Sequence, residues 1–279
     1  MPDSLRALKA NVSKLKGIAV FSDDIRDGIK GSVFNNEDRG FVSDKPGMRE
    51  SIKFGIVASC KHPQVDYSKV NYSKAPYAAE PANTITYTEC HDNHVLWDKL
   101  AISAKDATEQ QRKEMHKLAL SIVLTSQGIS FLHAGTEFLR SKKGNENSFN
   151  AGDSTNAIDW NLKTNNKDVF DYVQSLIRLR KEHPAFRMET ADQITNNLAF
   201  IDNLPEGVIA YTINGDAVKD SWRRILVIFN GSRRSVTFAV PQSKTGWKSY
   251  FKTEGNKTLE TKQVEKFSLL PYSCNILYE

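Results

Sequence analysis

Apolar residues recur along this chain with two periods, and the change from one to the other near residue 188 divides it. Over residues 109–125, Met115, Leu118, Ala119, Ile122 and Val123 fall at the i, i+3, i+4, i+7, i+8 spacing of a helix with one buried face. Gly128 stands just past its end. Residues 168–182 repeat the pattern through Phe170, Val173, Leu176 and Ile177, and Pro184 closes it. Residues 48–58 predict a further helix. Between these helices lie apolar runs of strand length at 17–21, 83–89 and 129–132. Strands alternating with amphipathic helices predict a parallel sheet covered by helices.

After Met188 the pattern shortens. Residues 194–202, 207–214, 225–230, 235–240, 247–251 and 273–278 read as brief strands, with turn signals such as Asn214-Gly215 and Asn230-Gly231 between them. That spacing predicts an antiparallel sandwich. Two domains are therefore expected, 1–188 and 189–279. A closed parallel barrel needs eight strands in about 250 residues, so three strand–helix units amount to part of one.

Composition narrows the class of protein. The 279 residues are 39% hydrophobic and 25% charged, with a formal charge of +5. This is the balance of a globular chain with a core of its own. The basic residues are interspersed with acidic ones and no nucleic-acid motif accompanies them, so no nucleic-acid partner is expected. No run approaches the roughly 18 apolar residues of a membrane span, so no membrane partner is expected either. The N-terminus lacks the apolar core of a signal peptide. Cys60, Cys90 and Cys274 are far apart, without metal-finger or disulfide spacing. Cys90 abuts His91, but free cysteines at strand ends commonly pack as small apolar groups.

The residues most suggestive of chemistry follow the strand at 83–89. Adjacent residues on a strand point to opposite faces, so His91 and Asp92 reach one site only if the chain turns there. The carboxyl end of a parallel strand is where an α/β barrel keeps its chemistry. A capped strand end with two solvated polar residues is the plainer reading of the pair alone.

The stretch His91-Asp-Asn-His-Val-Leu-Trp-Asp-Lys-Leu100 closely resembles the segment after the seventh barrel strand of bacterial type I pullulanases. These are α-1,6-glucan debranching members of the α-amylase family, glycoside hydrolase family 13. Gly17-Ile-Ala-Val-Phe-Ser-Asp-Asp-Ile-Arg-Asp-Gly-Ile-Lys-Gly-Ser32 resembles their sixth strand and its loop. Leu124-Thr-Ser-Gln-Gly-Ile-Ser-Phe-Leu-His-Ala-Gly-Thr-Glu-Phe-Leu-Arg140 resembles their eighth strand, and Asn147-Ser-Phe-Asn-Ala-Gly-Asp-Ser-Thr-Asn-Ala-Ile-Asp-Trp160 the loop beyond it. The terminus Leu270-Pro-Tyr-Ser-Cys-Asn-Ile-Leu-Tyr278 is similar to the last strand of the β-domain that follows the barrel in that family. The resemblance implies the last three βα units of a (β/α)8 TIM barrel followed by an antiparallel β-sandwich.

It also implies α-1,6-glucoside hydrolysis with retention, on pullulan, limit dextrin and branched starch or glycogen fragments. Retaining glycosidases use two carboxyl groups about 5–5.5 Å apart. In this family they follow the fourth and fifth strands, and neither segment is matched here. The chain alone is therefore expected to be inactive, with the N-terminal part of the barrel as a required partner. Asp92 is the third carboxylate, a transition-state stabiliser accepting hydroxyls of the sugar at the cleavage point, and His91 donates to the same ring. Asn93 and Trp97 are candidates for lining the cleft, with core packing the alternative for Trp97. Asp153 and Asn156 lie in a polar loop on that face, where substrate contact and turn capping are both open. Glu137 and Arg140, just past the eighth strand, read first as a structural ion pair, with site support the alternative, and Asp23, Asp24 and Arg26 are candidates for a charge network at the same rim. His91 and His94, spaced i, i+3, lack a further ligand for a metal, and no cofactor is implied. The compartment stays open, since in a C-terminal portion any export signal lies upstream. The alternatives are another family 13 α-glucan hydrolase, or a non-catalytic carbohydrate-binding or assembly module.

Overall fold

The computed structural model describes residues 2–243, 245–251 and 266–279. Strands β1 (Val20–Phe21), β2 (Thr84–Thr86) and β3 (Ile129–Ser130) lie side by side in that order, parallel throughout. Helices α1 (Asp23–Lys30) and α2 (Arg49–Ile56) connect the first two; α3 (Leu96–Ser103) and α4 (Glu109–Thr125) connect the last two. Register sets Phe21, Ile85 and Ile129 on one face of the sheet. The other face carries hydroxyls that tie down the helix ends. Thr84 Oγ1 donates to the Ala58 carbonyl past α2 at 2.8 Å, and Thr86 Oγ1 to the Gln127 carbonyl past α4 at 3.3 Å. Ser130 Oγ donates to the Val123 carbonyl within α4 at 3.1 Å. Both connecting layers thus cover the same face. Phe21 and Ile129 on the opposite face remain 40% and 46% exposed.

Helix α4 has its expected bounds because Thr108 and Gln111 form a reciprocal capping box at its start. From Met115 onward it is buried all round, with α2, α3 and the helix over residues 167–182 packed against it. Gly128 then lets the chain turn back into β3. It adopts φ +83°, and a Cβ there would stand 3.0 Å from Ala58 Cβ and 3.0 Å from the Thr84 carbonyl. Beyond β3 come α5 (Asp153–Asn156), α6 (Asn161–Asn165) and α7 (Lys167–Glu182). The buried stripe of α7 is Val169, Tyr172, Val173, Leu176 and Leu179. It is rotated from the expected one, leaving Phe170 and Ile177 half-buried at its edge.

The helices outside the three expected ones are all short, α1 and α3 among them. Helix α1 offers only Ile25 and Ile29 as apolar positions, and α3 is equally short. The run expected as a strand at 194–202 is instead α8 (Ala191–Asn197) followed by β4 (Leu198–Phe200). Thr190 and Gln193 cap α8 reciprocally, and the local cap overrides the apolar pattern.

Strand β4 opens a five-stranded antiparallel sheet in the order β4-β5-β6-β10-β8. Its further members are β5 (Val208–Asn214), β6 (Arg224–Asn230), β8 (Lys248–Phe251) and β10 (Ser273–Tyr278). A separate ribbon pairs β7 (Val236–Ala239) with β9 (Lys266–Leu269), the latter absent from the expected strands. Alternation along the strands assigns each face. Ile209, Tyr211, Ile213, Ile225, Val227, Phe229, Cys274 and Ile276 pack into the cluster formed by the helices. Val208, Ala210, Leu226, Ile228 and Leu277 join Phe238 and Leu269 of the ribbon and Trp247. One apolar cluster therefore runs continuously across residue 188, from Ile25 to Ile276. Arg180 pins the junction. Its buried guanidinium donates to the carbonyls of Leu124, Ser126, Phe186 and Gly128 at 2.6–3.1 Å. Burial, aided by Arg187, pushes it down to about 10.

Candidate functional site

The segments leaving β1, β2 and β3 emerge from one edge of the parallel sheet. An aromatic group from all three forms the floor there. The Phe21 ring lies 4.8 Å from that of Tyr87 and 5.4 Å from that of Phe131, both edge-on. Such arrangements match the quadrupoles of the rings. Above them Arg26 donates to the Tyr87 hydroxyl at 2.9 Å and pairs with Asp23 at 3.0 Å, while Lys9 meets Asp23 at 2.6 Å. Burial works to raise the Asp23 carboxyl, but Lys9 and Arg26 outweigh it and hold it below its ordinary value. Asp24 is not part of this network. It is buried and accepts the Tyr72 amide, the Ser73 amide and the Ser73 hydroxyl.

Past β2 the chain bends through residues 91–93, with Asn93 at φ +62°. The bend does what the extended geometry could not, and brings the two neighbouring side chains together. His91 Nε2 lies 3.3 Å from Asp92 Oδ1, with the side chains 83% and 72% exposed. Asn93 is half-buried beside them. The pair stands free at the rim, with hydrogen-bonding capacity facing solvent.

The other sequence-derived candidates separate. Trp97 sits on α3 with its ring edge-on to His116 at 6.2 Å and under the Arg112 guanidinium at 5.9 Å, both on α4. These contacts are helix packing, the alternative reading of this residue. Asp153 is exposed at the start of α5. The Asn156 side chain closes its own loop by donating to the Ser148 carbonyl at 2.6 Å. The expected Glu137–Arg140 pair is not among the ion pairs of the described residues. Glu137 accepts the Gly135 amide instead, and Arg140 donates to the carbonyls of Ala134 and Asn156. Arg140 thus ties its own turn to the loop at Asn156, while the Glu137 carboxylate is taken up by an amide of its own turn.

Sequence reasoning missed His133. It follows β3 much as His91 follows β2, and that parallel was the available signal. Burial, reinforced by Arg140, Lys142 and His91, pushes it down to about 4, so its imidazole is neutral at neutral pH. Arg140 Nη1 lies 3.4 Å from its Nε2. Among the described residues no three His, Cys, Asp or Glu side chains gather in a way that could hold a metal ion.

Residues 194–254 match the family described as "Pullulanase, all-beta domain". A pullulanase of Bacillus subtilis (strain 168) is 34% identical over 241 residues, covering 86% of this chain and 32% of the relative. The solved structure of a type I pullulanase from Bacillus subtilis, complexed with maltose, superposes over 100% of this chain and 38% of its own, with 31% identity and a TM-score of 0.90. The chain belongs to the pullulanase family. A second pullulanase structure, from Paenibacillus barengoltzii with maltohexaose and α-cyclodextrin, is 36% identical with a TM-score of 0.88. It covers 100% of this chain and 41% of that one. The chain spans about a third of the length of the curated pullulanase, and the region matched in pullulanase structures is C-terminal.

Proposed function

We propose that this chain forms the C-terminal part of a starch-debranching glycoside hydrolase and presents His91 and Asp92 to the glucosyl unit at the cleaved α-1,6 linkage. The observation that carries this reading is the meeting of the two side chains, 3.3 Å apart and exposed, at the carboxyl end of a parallel strand. In that position the Asp92 carboxylate accepts from two sugar hydroxyls and His91 donates to one. Bonds of this kind strengthen as the ring flattens toward the oxocarbenium ion. Charge assistance makes them stronger than neutral ones. The pullulanases solved with maltose, maltohexaose and α-cyclodextrin support an α-glucan as ligand.

On this reading β1, β2 and β3 are three consecutive units of a (β/α)8 barrel, and residues from 189 onward are the β-domain behind it. Their parallel order, and helices on one face only, support a barrel over a doubly wound sheet. The exposed Phe21 and Ile129 then belong to the interior of the closed barrel, covered when the other strands are in place. The nucleophile and the general acid come from those strands, and hydrolysis proceeds with retention. Asn93 is the remaining neighbour suited to the substrate set. Asp153, exposed at the start of α5, is proposed as an outer contact, whereas the side-chain bonds of Asn156 and the ring contacts of Trp97 favour packing roles.

The test has two arms. The purified chain should release no reducing sugar from pullulan. In the complete enzyme, Asp92→Asn preserves shape but removes the charge, and kcat should fall by about two to four orders of magnitude, roughly 3–5 kcal/mol of transition-state stabilisation. A variant retaining a third of normal kcat would exclude Asp92 from the site.

A further inference from the structure

Among the described residues, the side chains of His91 and Asp92 are held by each other, and what fixes them is the backbone beneath. Three buried charged groups grip that backbone. Lys142 Nζ donates to the His91 carbonyl at 2.7 Å, and Lys30 Nζ to the His94 carbonyl at 3.0 Å. The Glu89 carboxylate accepts the Leu96 amide at the start of α3. Lysines on an exposed loop normally extend into water. Lys142 is instead 1% exposed, and its ammonium is placed against a main-chain oxygen. A charge-assisted bond shielded from water is stronger and more directional than one at the surface.

Lys142 is itself aligned. The Asp98 carboxylate accepts the Lys142 amide at 2.8 Å, the Gly144 amide at 3.0 Å and the Ser141 hydroxyl at 2.6 Å, which locks the turn carrying Lys142. The next residue works with opposite polarity. Lys99 Nζ donates to the carbonyls of Ser32, Asn35 and Asn36 at 3.0, 2.6 and 3.0 Å. The first turn of α3 thus sends a carboxylate to the loop after β3 and an ammonium to the loop after α1. The Leu-Trp-Asp-Lys-Leu segment that follows the His-Asp pair is occupied in joining loops.

We propose that Lys142, aligned by Asp98, is a positioning residue for His91 and Asp92: by holding the His91 carbonyl it sets where the pair stands on the rim. The inference rests on the reading of that pair as the sugar contact, and the two are separable by experiment. Backbone order parameters from NMR relaxation report the loop directly. In the native chain Asp92 and Asn93 should be rigid, near about 0.85, and in Lys142→Met they should fall below about 0.6. Thr84–Thr86 should keep their native values. Lys142→Arg, which keeps a donor in place, should restore Asp92 and Asn93, and Asp98→Asn should loosen them partway.

Unchanged values at Asp92 and Asn93 in Lys142→Met overturn the proposal, as does an equal fall across Thr84–Thr86, which would mean general loosening. Should Lys142→Met fail to fold, Asp98→Asn and Lys142→Arg decide: equal rigidity of Asp92 in Asp98→Asn and the native chain overturns it. Titration of the complete enzyme with maltotriose tests the other reading. If maltotriose shifts the His91 and Asp92 resonances, and Lys142→Met weakens that binding at least tenfold while Lys142→Arg restores it, both readings are supported. If maltotriose leaves both resonances in place while Lys142→Met still loosens the loop, the sugar-contact reading falls and the loop-holding role of Lys142 stands.

Discussion

His116 illustrates how strongly one buried residue can bind the fold to pH. It lies within α4, 1% exposed, with Nε2 2.8 Å from the Thr136 carbonyl. Burial, aided by Lys117, pushes its imidazole from 6.5 down to about 4. Its folded value is depressed, so the unfolded chain takes up the proton first. The stability it contributes is present above pH 6.5 and is lost as pH falls toward 4. That gap amounts to about 3 kcal/mol. His133, and His62 by burial, act in the same direction. Urea denaturation at pH 7 and pH 4.5 should therefore give a lower midpoint in acid. His116→Gln, which can still donate to Thr136 and does not titrate, should shrink the difference; parallel curves for the two proteins would assign the loss elsewhere. Of the rim, the sequence revealed what lies in one continuous stretch, His91 and Asp92. It concealed Lys30, Lys142 and His133, because a lysine in a polar run reads as solvated and only the fold brings these three to the loop.

Among the elements, legibility followed length and capping. Helix α4 could be bounded from its period and from Gly128 just past its end, whereas α1 and α3 are too short for a period to establish itself. What holds α1 is its contact with α2 at Gly55. A Cβ on that residue would stand 2.1 Å from Ile25 Cδ1 and 2.5 Å from Ile25 Cβ. Gly55→Ala would favour the helix by about 1 kcal/mol on propensity alone. Overpacking the contact costs about 1–3 kcal/mol and outweighs that gain. A net loss of about 1 kcal/mol is expected, seen as a lower urea midpoint at unchanged slope. A raised midpoint would mean that α1 can move away from α2 freely.

For the molecule as a whole, the change of texture near residue 188 separates two kinds of secondary structure, yet the apolar core does not divide there. Tyr211 of β5 donates its hydroxyl to the Thr125 carbonyl at the end of α4 at 2.9 Å, and Cys274 and Ile276 of β10 lie in the same cluster as Met115 and Leu118. Sequence pattern registers which face of an element is apolar, but not which other face it meets. The expected consequence is a single unfolding transition, with calorimetric and van't Hoff enthalpies in agreement. Two resolved transitions would show that the β-sheet layer holds without the helices. The same double coverage explains the run Ile-Leu-Val-Ile-Phe over residues 225–229 of β6, apolar at every position because helices lie on one side and the β7–β9 ribbon on the other. Outside the fold, such a window of β-branched and aromatic residues without charge or proline is a template for intermolecular pairing. Inside it, β6 is flanked by β5 and β10 along its whole length and offers no free edge. The segment most prone to aggregation is thus closed off on one side by β10, which lies well downstream of it in sequence, so during synthesis its protection waits until that strand has emerged.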